Sequence, residues 1–470
     1  MKGRHALVAG VDSSTQSCKI AIRDLETGVI IRQGRAPHPG GTEVDPENWW
    51  EALQAAIAEA GGLNDVVAIS ISGQQHGMVL LDLNGEVIRP ALLWNDTRSA
   101  GAAADLIAEF GAEELARRTG SVPVASFTST KLRWLRDAEP EHAVRVAAVA
   151  LPHDWLTWRF LGYGPKHASR LGPVLAALTT DRSDASGTGY WDGVTGRYDT
   201  ELFVKALGHD AIRPVVLAPQ EHAGLTPAGL IVAAGCGDNA GAALGLGVTS
   251  GDVVVSIGTS GTVFAVTDAP SGDATGTVAG FADASGLSLP LVATLNAARV
   301  MGSVAELLGV DNQSAGELAL MAEPGAGGVV LVPYFAGERT PNLPNSMASV
   351  HGLTISSATR PNLARAAIEG MLSGLAAGLD ALRAVGVREN RVLLTGGAAQ
   401  NLAVQVIASQ VFDASVIVPK PGEYVAAGAA VQAAWALTGT RPDWPVEVVA
   451  APKRDYRPLI RAQYALYSTK

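Results

Sequence analysis

The chain has 470 residues, 47% hydrophobic and 17% charged, enough for two domains with large cores and too apolar for a disordered chain. Its net charge is −10 and its 35 Lys and Arg are scattered, so no basic stripe exists to neutralise a nucleic-acid backbone. The two cysteines, Cys18 and Cys236, exclude a disulfide framework, lack metal-type spacing and fit a reducing cytoplasm. The opening MKGRHALVAGVD has no apolar signal core. Stretches such as 425–440 are Ala- and Gly-rich, broken by Gln or Thr, and make poor membrane spans. The expectation is a cytoplasmic protein with neither nucleic acid nor membrane as partner.

In chain order, the apolar runs 6–11 and 18–24 flank DSSTQS and predict a β-hairpin with a polar turn, followed by a strand near 29–36. Asp45-Pro46 opens a helix whose Trp49, Leu53, Ala56 and Ile57 recur at helical spacing. A buried strand then runs into Gln74-Gln75-His76-Gly77, and an Asn84-Gly85 turn marks a further hairpin. Strands and helices alternate onward, which predicts an α/β fold. Residues 252–267 repeat the opening pattern: apolar strand, Ser/Thr-rich turn, apolar strand. Two such hairpins half a chain apart predict two similar domains, 1–244 and 245–440, hinged at the Gly-rich stretch 241–251. Later elements are a strand in 329–337, a helix near 361–384, the strand RVLLT before Gly396-Gly397, and helices after 401 and 423. Residues 441–470 read as a surface tail and closing helix.

The chemistry gathers at turns. A Ser/Thr/Gly-rich turn between strands presents backbone N–H groups and hydroxyls in a concavity suited to phosphates. Gly258-Thr259-Ser260-Gly261 allows close backbone approach, and the first turn adds the carboxylate of Asp12 beside Thr15, as a Mg²⁺–phosphate complex requires. Ordinary polar turns are the alternative. Asp238 follows the apolar run LIVAA in a Gly-flanked turn, placed to accept a proton from an attacking hydroxyl or merely to cap the next helix. Gln75 and His76, at a strand end, suit polyol recognition, or form a loop satisfied by backbone. Trp94-Asn95-Asp96 offers a ring for a sugar C–H face and two groups for hydroxyls, while a lone Trp is also a common core residue. Gly396-Gly397 would let a flat adenine or ribose lie on the backbone, or make a plain strand-to-helix turn. Cys236 reads as a small buried residue, and no His pair or Cys/His cluster predicts zinc.

Taken together, GVDSSTQSCK, SGQQHG, WNDTRS, SFTSTKLRWL, LPHDWLTWRF, SDASGTGYWD, GCGDNA, SIGTSG, FAGERTPN and LLTGGAAQN, in this order, resemble the FGGY carbohydrate kinases of the actin-like ATPase superfamily. The resemblance covers most of the chain. It implies two RNase H-like α/β domains around a deep cleft, sugar mainly on the first and ATP mainly on the second, and transfer of phosphate to D-xylulose. Ribulose, gluconate or an alditol are the alternative substrates, and a non-catalytic actin-like nucleotide-binding protein is the alternative of another class. It further implies Asp238 as catalytic base, Gln75 and His76 as sugar ligands with Asn239, Asn95 and Asp96, and Asp12, Thr15, Gly258, Thr259, Gly396, Gly397 and Asn401 at the nucleotide. Asp12 and Asp238 would meet Mg²⁺ through water. A homodimer is the implied assembly. The segment 162–180 is longer than the family pattern, either a surface loop or a change to the rim of the cleft.

Overall fold

Two hairpins organise the molecule. The computed structural model describes residues 6–468; the outer ends of the predicted first domain and tail, residues 1–5 and 469–470, lie outside them. The first hairpin pairs Leu7–Ser13 with Ser17–Asp24, and the second pairs Asp252–Ile257 with Gly261–Ala265. The first turn is therefore only residues 14–16, and Asp12 lies on the strand, not in the turn. Each hairpin gains a third antiparallel strand, Ile30–Pro37 or Ser288–Thr294, on its outer edge. On the inner edge each first strand takes a parallel partner, Val66–Gly73 or Arg391–Thr395. A further parallel strand follows, Ile231–Ala233 or Ser415–Pro419.

The two sheets, each of seven strands, thus share strand order and sense, which makes the duplication structural. The parallel strands are apolar on both faces because helices cover both sides. Trp49, Leu53 and Ala56, from the helix Pro46–Glu59, join Val11, Ile20 and Ile69 in one core. Asp45 caps that helix, its carboxylate accepting the Glu47 N–H at 3.0 Å. The helix Arg360–Ala384 supplies Ile368, Met371, Leu372 and Leu375 to the core of the second sheet.

Three stretches cross the division read from sequence. The helix Tyr424–Thr438 leaves the second sheet and packs on the first, where Ala430, Ala433 and Ala434 meet Val8 and Ala68. The closing stretch returns: Val448–Ala450 extends the second sheet, and Ile460 enters its core. The predicted hinge is partly helical, since Asp238–Gly245 is a helix. The Asn84-Gly85 hairpin is short, the Asp82 and Ile88 N–H groups donating to Glu86 O and Leu80 O at 3.0 and 2.9 Å around one bridge, Leu81 with Val87, and Val79–Leu81 also pairs with Ala148–Ala150. The segment 162–180 packs Tyr163, Leu175 and Leu178 on the first core, and the Trp158 indole donates to Val174 O at 3.0 Å.

Candidate active site

The register of the first sheet brings three separated motifs to one edge. Leu7–Ser13 and Val66–Gly73 are parallel, so Asp12 stands beside Ser72 and the loop 74–77 follows directly. Cys236–Gly237 pairs with Ser72 and Gly73 on the other side, which sets Asp238 at the same edge. The second sheet repeats this: Asp252–Ile257 lies parallel to Arg391–Thr395, placing the turn 258–260 beside 396–400. Carboxyl ends of parallel strands are where open α/β sheets bind ligands.

Between these edges lies a cavity of about 490 Å³, lined by Gln75, His76, Trp94, Phe127, Asp238 and Asn239 on one side and by Ser260, Thr262, Phe281 and Arg339 on the other. No residue of 162–180 lines it. Asp238 opens the helix Asp238–Gly245, for which Gly237 is the cap, so Asp238 does not serve as the helix cap. Its carboxylate accepts the N–H and side-chain amide of Asn239 at 2.7 and 2.8 Å. Burial, then the nearby negative charge of Asp12, pushes its pKa up to about 7. Asp12 is itself raised by burial, against the Ser14 hydroxyl and the Lys19 ammonium at 3.6 Å.

Gln75 donates to Ser183 O at 3.2 Å and accepts from the Asn239 amide at 3.4 Å. His76 holds φ at +70°, a left-handed conformation costly for a side-chain-bearing residue. The strain is clamped: Thr128 Oγ1 and Lys131 Nζ each donate to the His76 carbonyl at 3.2 Å. The ring is wedged between Phe127 and Phe281, centroids 4.8 and 5.5 Å away. Burial, with the charges of Lys131 and Arg339, pushes His76 down to about 3, so the ring is neutral. Nδ1 lies 2.6 Å from Gly187 O and must be the protonated nitrogen, leaving Nε2 as an acceptor.

Sequence reasoning missed this clamp. Lys131 is fully buried, and burial pushes its ammonium down to about 7. The available signal was a lone Lys among the Ser, Thr and apolar residues of SFTSTKLRWL. It also missed the helix Arg182–Ser186, which holds Gln75 through Ser183 O and receives the Gly237 N–H on Ser183 Oγ at 3.0 Å. Behind it sits a buried cluster, His153 Nδ1 at 2.6 Å from Asp184 Oδ2, with Asp154 alongside. The motifs LPHDWL and SDASG carry these residues.

Two predicted sugar residues do not reach the cavity. Asp96 is drawn into a loop brace, accepting the Arg98 N–H at 3.0 Å, the Arg98 Nε at 2.9 Å and the Thr42 hydroxyl at 2.8 Å. Asn95 donates to Gly41 O at 3.4 Å. Their neighbour Trp94 does line it, its indole donating to Thr15 Oγ1 at 2.9 Å. On the second sheet Gly258 and Thr259 form the turn, and their carbonyls accept the Ala298 N–H at 2.9 Å and Arg299 Nε at 3.3 Å. Gly396, with φ +95°, passes so close to Ile257 that a Cβ would lie 2.4 Å from its carbonyl oxygen, whereas Gly397 faces open space. Asn401 caps the helix Leu402–Val411, accepting the Ala403 N–H at 2.9 Å, and does not line the cavity.

The N-terminal domain model of the FGGY family of carbohydrate kinases matches residues 7–245, and its C-terminal domain model matches residues 253–437. The chain belongs to this family. Among FGGY relatives, the xylulose kinase of Streptomyces rubiginosus is 46% identical over 455 residues, 93% of this chain and 89% of that protein. The xylulose kinase of Escherichia coli is 34% identical over 83% of this chain and 82% of its own. The crystal structure of xylulose kinase from Bifidobacterium adolescentis superposes with a TM-score of 0.92 at 43% identity, covering 98% and 99% of the two chains. Plasmodium falciparum glycerol kinase, solved with ADP, shares the fold at a TM-score of 0.84 and 19% identity. As an FGGY kinase the protein is an enzyme that uses ATP and a sugar. No helix among the described residues is long and apolar enough to cross a membrane.

Proposed function

We propose that the enzyme transfers the γ-phosphoryl group of ATP to the terminal hydroxyl of D-xylulose. The observation that carries this reading is the convergence of Asp238, Asn239, Gln75 and His76 on one cavity between the two sheets. It is supported by relatives named xylulose kinase across nearly the whole chain. In this reading Gln75, His76 Nε2 and Asn239 take sugar hydroxyls, and Trp94 offers a face to the carbon skeleton. Asp238 accepts the proton of the attacking hydroxyl. Its pKa of about 7 suits a base that must take a proton during transfer and release it afterwards. Asn95 and Asp96 brace the Trp94 loop. The turns at 258–260 and 396–397 hold the nucleotide, while Asn401 orients the helix behind it.

Asp12 and Asp238 fit a hydrated Mg²⁺: two hard carboxylates, both disfavoured as bare anions by burial, converge where the phosphates would lie. When bound, the ion would neutralise phosphate charge. The domain division 1–244, 245–440 and 441–470, a homodimer and a cytoplasmic setting complete the proposal. The test is sugar-dependent ADP release with Mg·ATP across ketopentoses, aldopentoses, alditols, glycerol and gluconate. D-xylulose is expected to give the highest kcat/KM, and Asp238→Asn to lose roughly 10²–10⁴-fold in turnover while still binding sugar. Stronger turnover of another sugar would replace the substrate assignment.

A further inference from the structure

The FAGERTPN stretch holds a cation, Arg339, with no acidic counterpart among the described residues. Its loop is closed by reciprocal backbone bonds between Glu338 and Leu343, 2.9 Å each way. Glu338 is buried and both oxygens of its carboxylate are engaged. Oε1 accepts the N–H of Leu295 and of Arg339, each at 2.7 Å, and Oε2 accepts the Asn296 amide at 3.0 Å. On the other side Thr340 Oγ1 donates to Ala293 O at 3.0 Å. The backbone of Arg339 is therefore fixed, and the adjacent acid bonds to main-chain and amide donors rather than to its side chain.

That side chain lines the cavity opposite Gln75, His76, Asp238 and Asn239. Among the described residues no acid pairs with its guanidinium, and the residue is exposed at the cavity wall. Other arginines in the fold are held by acids, Arg391 by Asp252, Arg365 by Glu369, and Arg98 by Asp96 and Glu43, whereas Arg339 faces the cavity. A guanidinium open to the cavity with no acid beside it is free to take an incoming anion, and its planar donors match two oxygens of a phosphoryl group.

We propose that Arg339 is a catalytic residue that binds the phosphoryl group in flight and then the phosphate of the product. This rests on the reaction proposed above. The sugar oxygen forms a bond to the γ-phosphorus, and its proton passes to Asp238. The bond from phosphorus to the β,γ-bridging oxygen breaks, and ADP leaves with that electron pair. Arg339 forms and breaks no covalent bond; it binds equatorial oxygens whose charge persists throughout. The sugar is neutral and gives a guanidinium no charge to meet. The anion that arrives beside Asp238 is the transferred group.

The test compares wild type, Arg339→Gln and Arg339→Lys for kcat, both KM values and calorimetric affinity for D-xylulose and for D-xylulose 5-phosphate. Expected for the Gln variant is a roughly 10²–10³-fold fall in kcat, with sugar affinity within about threefold and sugar-phosphate affinity at least about tenfold weaker. The Lys variant, keeping charge but not the planar fork, is expected to lie between. Turnover of the Gln variant within about threefold of wild type overturns the inference, as does weakened sugar binding at unchanged kcat. If wild type phosphorylates a different sugar, the same comparison runs with that sugar and its phosphate, so the substrate assignment fails separately. A wild type that phosphorylates no sugar removes the proposed reaction and this inference together.

Discussion

Two carboxylates at the head of the first sheet act on each other's chemistry. Asp238 is raised to about 7 first by burial and then by the charge of Asp12. A base works as its carboxylate, so activity belongs above the pKa and falls as pH drops through it. In the metal-free protein, carboxyl NMR is expected to show Asp238 titrating near 7. Mg²⁺ beside it stabilises the anion, so the acid limb of kcat/KM lies at or below that value. Asp12→Asn removes the neighbouring negative charge and is expected to shift the metal-free titration of Asp238 to lower pH. An unmoved or upward-shifted midpoint would leave burial alone as the cause. His76 behaves oppositely. Pushed down to about 3, it stays neutral across physiological pH and contributes no limb of its own near pH 6.5.

At the scale of elements, the strand-to-helix turn after Arg391–Thr395 depends on one glycine. Gly396 combines φ +95° with an approach that would put a Cβ 2.4 Å from the Ile257 carbonyl oxygen. Backbone cannot yield there without separating the two central strands. Gly396→Ala is expected to cost about 1–3 kcal/mol of stability, read from denaturant midpoints, and to raise the KM for ATP more than that for sugar. Gly397→Ala, which meets open space, is expected to be nearly neutral for stability. A Gly396→Ala protein as stable as wild type would refute the close-approach argument. The sequence made such turns legible because Gly pairs and apolar runs are local features. The hairpins, their duplication and the strand-end positions of Gln75, His76 and Asp238 could all be read that way. What stayed hidden is non-local. Lys131 grips a carbonyl in another segment, Ser183 ties two loops together, and Asp96 finds Arg98 and Thr42 before any sugar. Composition and periodicity carry no information on which buried donor meets which distant acceptor.

For the whole molecule, the helix Tyr424–Thr438 decides how the halves are coupled. Its sequence is Ala- and Gly-rich, which read as unremarkable apolar helix. In the fold those small residues let backbones touch. A Cβ on Gly428 would sit 1.8 Å from Gly241 O, one on Gly245 2.0 Å from Tyr424 O, and one on Gly10 2.0 Å from Ala426 O. Gly241 and Gly245 belong to the helix that begins with Asp238, and Gly10 to the strand that carries Asp12. At the helix entry, Glu423 accepts from Lys19 at 2.5 Å. The second half therefore reaches across and sets the spacing of the elements bearing both carboxylates. Gly428→Ala should force that helix off Asp238–Gly245, costing at least about 2 kcal/mol and lowering kcat, since a small misplacement of the base is expensive. The control is Gly374→Ala within Arg360–Ala384, where the added Cβ meets only the Tyr464 hydroxyl at 3.6 Å. Replacing an interior helical glycine without a clash is expected to stabilise by about 0.4–1 kcal/mol and leave kcat unchanged. Opposite signs for two Gly→Ala changes in two apolar helices would tie the effect to backbone contact between the halves. Equal signs would mean that helix propensity, not the crossing, governs both.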